Sequence, residues 1–220
     1  MLKSTFDVLL ESANGPGRPK DLSKRAAILQ AARNLFLQSG YDGSSMDAIA
    51  AKAKVSKLTV YRHFSDKETL FAAAIEVQGN YRLSSTLFDL AEETPIAQAL
   101  YEFSCRYQNL IKSQESLELY RLMASIAVKT PERTRLFYDA GPRRTLNEMV
   151  RLLQQANDQG KLQIPNVMIA AEYFLSSFNG GAQFRRILGI ENVEADQDQL
   201  NNEEYAHEVV KRFVRAYAVE

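Results

Sequence analysis

The spacing of helix stops and starts between Asp21 and Leu70 limits this chain more than any other feature. Apolar residues Leu22, Ala26, Leu29, Ala32, Leu35 and Phe36 recur at three and four, predicting a helix over 21–39, and Gly40 follows as a left-handed stop. Ser44 and Ser45 can cap a short second helix with Met46, Ile49, Ala50 and Ala53 facing inward. Val55 ends it, and Ser56 caps a third helix predicted over Lys57–Phe64. Ser65-Asp66 then opens a fourth at Lys67, running through Leu70, Phe71 and Ile75 to about Asn80. Two short helices joined by a three- or four-residue turn and packed on a longer one form a helix-turn-helix.

The rest of the chain keeps the helical period, and no run alternates as a strand must, so the fold class is all-α. Further helices are predicted over 95–113, 117–128, from Pro131, over 142–158 with Gly160 beyond, as one unbroken element over 167–188, and near 203–217. Gly and Pro in NGPGRPK (14–20) predict a flexible arm.

Formal net charge is zero, yet residues 15–67 hold ten basic and four acidic side chains, a local +6 that the remainder offsets. A basic N-terminal quarter on a neutral chain points to a localised polyanion, and double-stranded DNA is the expected partner. No apolar run approaches the ~20 residues that span a bilayer, and the first residues lack the apolar centre of a signal peptide, so a cytoplasmic protein with no membrane partner is expected. Cys105 is the sole cysteine and there are two histidines, which excludes an intrachain disulfide and disfavours a soft-metal site.

On the third helix Leu58, Val60, Tyr61 and Phe64 compete for the inner face, leaving Lys57, Thr59, Arg62 and His63 outside. Lys57 and Thr59 lie at the end that enters the groove and are placed for base edges; Tyr61, His63 and Lys67 can donate to phosphates. His63, Ser65 and Asp66 include the residue types of a hydrolytic triad, but nearly consecutive positions at one helix end diverge, so no catalytic residue is expected.

The segments ILQAARNLF (28–36), Gly40-Tyr41, SMDAIAAKA (45–53), Val55-Ser56, Thr59-Val60-Tyr61, His63-Phe64 and KETL (67–70) together resemble the N-terminal domain of TetR-type transcriptional repressors. The resemblance implies a homodimer of nine- or ten-helix chains, divided here into an arm (1–17), a DNA-binding domain (18–75) and a ligand-binding and dimerisation domain (76–220). Carried over position by position, it places Ser45, Lys57, Thr59, Tyr61, His63 and Lys67 on DNA, and likens Arg18-Pro19-Lys20 to a basic arm along the minor groove. Two departures stand out: Lys54 replaces the usual glycine of the turn, costing of order 1 kcal/mol if φ is positive there, and Leu58 replaces a small residue. LELYRLMASIA (117–127), Pro131-Glu132, FYDAGP (137–142) and Gly160-Lys161-Leu162 resemble the AefR-like ligand domains of that family.

Among the aromatic and methionine residues of the second region, Tyr120, Met123, Phe174 and Phe178 are the expected lining of an apolar effector pocket. The family resemblance implies that Ala170, Phe174, Gly180 and Gly181, with Val210, Phe213 and Tyr217 on the last helix, lie at a four-helix dimer interface; packing of these helices within one chain is the alternative. The expectation is a ligand-responsive repressor without cofactor or enzymatic activity, released from a palindromic operator by a small apolar molecule. The alternative is a DNA-binding dimer whose second domain recruits a protein.

Overall fold

A proline has no amide hydrogen to leave unpaired and its φ already suits a helix, and the first described helix starts on one: α1 spans Pro19–Ser39. The start lies within the stretch predicted to be a flexible arm. The computed structural model describes the backbone of residues 19–190 and 201–219 and the side chains of 21–77, 83–190 and 201–219. Beyond α1 come α2 (Met46–Lys52), α3 (Lys57–His63), α4 (Lys67–Arg82), a 3₁₀ turn (Ser85–Phe88), α5 (Ile96–Ile111), α6 (Gln114–Ile126), α7 (Pro131–Ala140), α8 (Pro142–Asp158), α9 (Val167–Asn179), α10 (Gly181–Ile187) and α11 (Asn202–Ala216). Every regular element among the described residues is helical. The chain divides into two compact units, one of Met1–Tyr81 with Leu122–Gly141 and the other of Arg82–Arg121 with Pro142–Glu220. The division falls inside α6, at Arg121 and Leu122.

In the first unit α1 buries Ile28, Leu29, Ala32 and Phe36 against Ile49, Val60, Phe64, Leu70 and Phe71. Phe36, Tyr41 and Phe71 form an aromatic knot, with Phe71 edge-on to the other two at 5.1 and 5.3 Å between centroids. Leu22, expected inside, is exposed. The stops behave as their residue types require: Gly40 has φ +71°, and the hydroxyls of Ser45 and Ser56 accept from the N–H groups of Ala48 and Thr59, each at 3.1 Å. Lys54 has φ +55°, the left-handed region that favours glycine, so the turn keeps the geometry a glycine would allow freely and strains a lysine to do so.

In the second unit a run of rings forms the core. Phe103 stacks on Tyr107 at 5.3 Å; Phe174 meets Phe178 edge-on at 5.5 Å and Phe213 at 4.8 Å, tying α5, α9 and α11 together. Buried polar groups find partners: the Tyr107 hydroxyl accepts from Asn179 at 2.7 Å, and the Gln183 amide donates to the Ile111 carbonyl at 2.7 Å. Asn201 and Glu204 cap α11 reciprocally. The element predicted over 167–188 is two helices: Gly180, at φ −74° and ψ −155°, leaves the helical region and becomes the N-cap of α10. Two adjacent glycines give up more backbone entropy than one helix recovers, and the chain breaks between them.

Candidate nucleic-acid interface

The outward surface of α3 follows from how little of it is needed for packing. Val60 is its one buried residue, with Phe64 anchoring the C-cap; Lys57, Leu58, Tyr61 and Arg62 all face outward. The Lys57 ammonium is 2.8 Å from Asp47 on α2, and this carboxylate, through its hydrogen bond and then its charge, raises the lysine's pKa. Thr59 is half-buried, and its hydroxyl lies 2.8 Å from that of Ser56. Ser45 is exposed at the cap of α2, and Tyr61 is 43 % exposed with the Lys57 ammonium 6.0 Å from its ring centre. Ser45, Lys57, Thr59, Tyr61 and Arg62 therefore belong to one surface of the first unit.

Two expectations about this helix, and one about the start of α4, need correction. Leu58 does not reach the inner face: it is 79 % exposed, since Val60 and Phe64 already fill the space under α3. His63 is not on the outer face, as its side chain is only 10 % exposed and Nε2 is 3.1 Å from Asp21 Oδ1 on α1. Lys67 turns inward, donating to the carbonyls of Tyr41 and Ser44, each at 2.8 Å, with its ammonium 4.2 Å from the Tyr41 ring centre. Desolvation there lowers the Lys67 pKa, with the Arg133 charge acting in the same direction. Lys67 thus secures the loop before α2. Of the proposed arm, Lys20 contributes backbone to the first turn of α1, and Arg18 and residues 1–17 lie outside the described residues.

Of the triad residue types, Ser65 and Asp66 do not diverge but meet, Ser65 donating to Asp66 at 2.8 Å, whereas His63 faces α1. Asp66 instead caps α4, accepting from the Thr69 N–H at 2.7 Å, and the hydrogen bonds from Thr69 and Ser65 hold its carboxyl below the usual range.

Arg133 on α7 was invisible in the sequence as a partner of this unit. It pairs with Asp42 and lies over the Tyr41 ring at 4.9 Å, on a side chain only 23 % exposed. Its target lies 91 residues earlier in the chain, and a single arginine on a helix with no buried residue leaves no periodic trace.

The proposed effector and interface residues separate. Met123 is buried in the first unit, while Tyr120, Phe174 and Phe178 lie in the second, the two phenylalanines inside the aromatic core. Ala170, Phe174, Val210 and Phe213 are buried within the single chain, so they have no surface to offer a partner. Tyr217 is half-buried against Phe213, and Gly180 and Gly181 are exposed at the break between α9 and α10. The stripes named from the sequence are the inner faces of α9 and α11. Their outer faces carry other large apolar residues: Ile169 and Tyr173 on α9, 61 % and 67 % exposed and four apart, and Tyr205 on α11, whose hydroxyl donates to the Ser177 carbonyl at 2.6 Å. Phe184 and Leu188, also four apart, are exposed at α10 and its end. No group of three or more His, Cys, Asp or Glu side chains among the described residues is arranged to hold a metal ion, and no described helix is long and apolar enough to cross a membrane.

Comparison with known proteins bears on both units. Residues 28–74 match the family described as bacterial regulatory proteins, tetR family, and residues 98–219 match the C-terminal domain of AefR-like transcriptional repressors. The HTH-type transcriptional regulator YdeS of Bacillus subtilis is 49 % identical over 51 residues, which are 23 % of this chain and 26 % of that protein. The match thus spans about a quarter of that relative's length. Two solved structures extend the likeness along the chain. A TetR-family transcriptional regulator from Mesorhizobium loti superposes with a TM-score of 0.71 at 28 % identity, over 91 % of this chain and 99 % of that one. The flavonoid-responsive regulator FrrA gives 0.66 at 30 % identity, over 89 % and 97 %.

Proposed function

Because the chain belongs to the TetR family of DNA-binding transcriptional regulators, which are not enzymes, we propose that it is a dimeric repressor acting in the cytoplasm and released from a palindromic operator by a small apolar effector. The observation that carries this reading is the outward surface of α3, on a basic helix-turn-helix whose core needs only Val60 and Phe64 from that helix. Lys57, Thr59 and Arg62 would meet base edges, with Ser45 and Tyr61 on flanking phosphates. Two such helices in successive major grooves require half-sites roughly 34–36 Å apart or a multiple of that. The dimer would form through the outer faces of α9 and α11, where Ile169, Tyr173 and Tyr205 leave apolar area exposed.

Support for an effector comes from the second unit's likeness to AefR-like domains and from FrrA, which makes flavonoids the first compounds to try. Helix α6 runs through the division between the units and α7 carries Arg133 to the Tyr41 loop, so an effector-driven shift in this segment would reach the support of α2 and α3. Linkage requires bound DNA to weaken effector affinity by the same factor that effector weakens DNA, typically about 5–150-fold. The test is selection of bound fragments from genomic DNA, followed by affinity for the selected site with and without flavonoids. A palindrome whose affinity falls with ligand supports the reading. A palindrome indifferent to flavonoids and to a wider panel of apolar compounds removes the effector and leaves a DNA-binding dimer that recruits a partner.

A further inference from the structure

We propose that Leu58 reads a thymine methyl group in each operator half-site, a role that rests on the DNA-binding reading above. Leu58, Tyr61 and Arg62 stand at i, i+3 and i+4 of α3 and share its outward face, Leu58 in the first turn. That turn leads into the major groove in a helix-turn-helix. Its polar neighbours are already engaged: the Lys57 ammonium on Asp47 at 2.8 Å, the Thr59 hydroxyl beside Ser56 at 2.8 Å. Leu58 stands between them in the chain and is 79 % exposed.

An isolated exposed leucine is unremarkable on an ordinary surface. Here it sits at the leading turn of the helix that would face DNA, between Lys57 and Arg62, the two cationic side chains assigned to base edges above. The one apolar group that duplex DNA offers in the major groove is the C5-methyl of thymine. Contact with Leu58 would bury that methyl and discriminate against cytosine, whose edge at that point carries no methyl and a donor amine nearby.

The test uses the full chain, native and Leu58→Ala, and the site selected by the native protein. Each thymine in turn is replaced by deoxyuridine, which removes the methyl and leaves base pairing intact. The expected result is one position per half-site at which the native protein loses about four-fold in affinity, the value for burying one methyl-sized group. Leu58→Ala should melt at the native temperature, bind the thymine site more weakly, and be indifferent to deoxyuridine at that position. If both proteins respond to deoxyuridine alike, or the native protein has no sensitive thymine, the assignment of Leu58 is overturned while sequence-specific binding stands. If the native protein enriches no sequence, the DNA-binding reading falls, and this assignment with it.

Discussion

The two units treat their conspicuous side chains in opposite ways. In the first, helices of seven residues are held by serine caps and by a few buried groups, Met46, Ile49 and Ala50 under α2 and Val60 and Phe64 under α3, so most of their length stays exposed. In the second, longer helices spend their aromatic residues on each other: Phe103, Phe174, Phe178 and Phe213 are all interior. A side chain that stands out on the short helices α2 and α3 is therefore a candidate for contact, and a ring in the core of α5, α9 and α11 is a candidate for packing. Altering the former should change binding at little cost to folding, and altering the latter should do the reverse.

The largest effect expected from this contrast lies in the second core. Phe174→Ala should cost about 3–5 kcal/mol in denaturant-induced unfolding, as the ring leaves a cavity among residues that cannot collapse into it. Tyr173→Glu, one residue away on the outer face, should leave unfolding of the protomer nearly unchanged and, on the proposed interface, shift sedimentation from dimer to monomer. Similar unfolding midpoints for the two variants would break the distinction between inner and outer faces.

Smaller effects belong to the first unit. Ser56→Ala removes the acceptor for the Thr59 N–H and should cost about 1 kcal/mol, with a parallel loss of operator affinity because the cap orients the reading turn. Lys54→Gly relieves a left-handed lysine and should stabilise the unit by up to about 1 kcal/mol, read as a higher melting temperature; no gain would mean that the turn tolerates its φ of +55° without strain. The smallest effect concerns acid. Hydrogen bonds from Thr69 and Ser65 depress the Asp66 carboxyl below its ordinary value of 3.8. The stability it contributes is fully present above that pH and is lost as pH falls through the lower folded-state value. Asp66→Asn should flatten that acid limb of a stability profile, and an unchanged limb would assign the acid sensitivity to other groups.

The legible part of the molecule was the local part. Gly40, Ser45, Ser56, Asp66, Pro131 and Gly160 set starts and stops through their own backbone and side-chain chemistry, so the helix boundaries around them agree with the sequence to within a residue or two. The strain at Lys54 was legible only through the family resemblance, in which a glycine usually holds that position of the turn.

What the sequence by itself determined was the all-helical class and the helix-turn-helix, since each depends on interactions within about four positions of the chain. Tertiary structure decided which side of each helix was spent on packing. A periodic stripe shows that a face is apolar without showing what meets it, so α9 and α11 gave the protomer core where a dimer interface was expected, and Val60 and Phe64 left Leu58 outside. It also decided the long-range polar contacts, Lys67 on the loop carbonyls, His63 beside Asp21 and Arg133 over Tyr41, because a single charged side chain has no period and its partner is chosen by proximity in the folded chain.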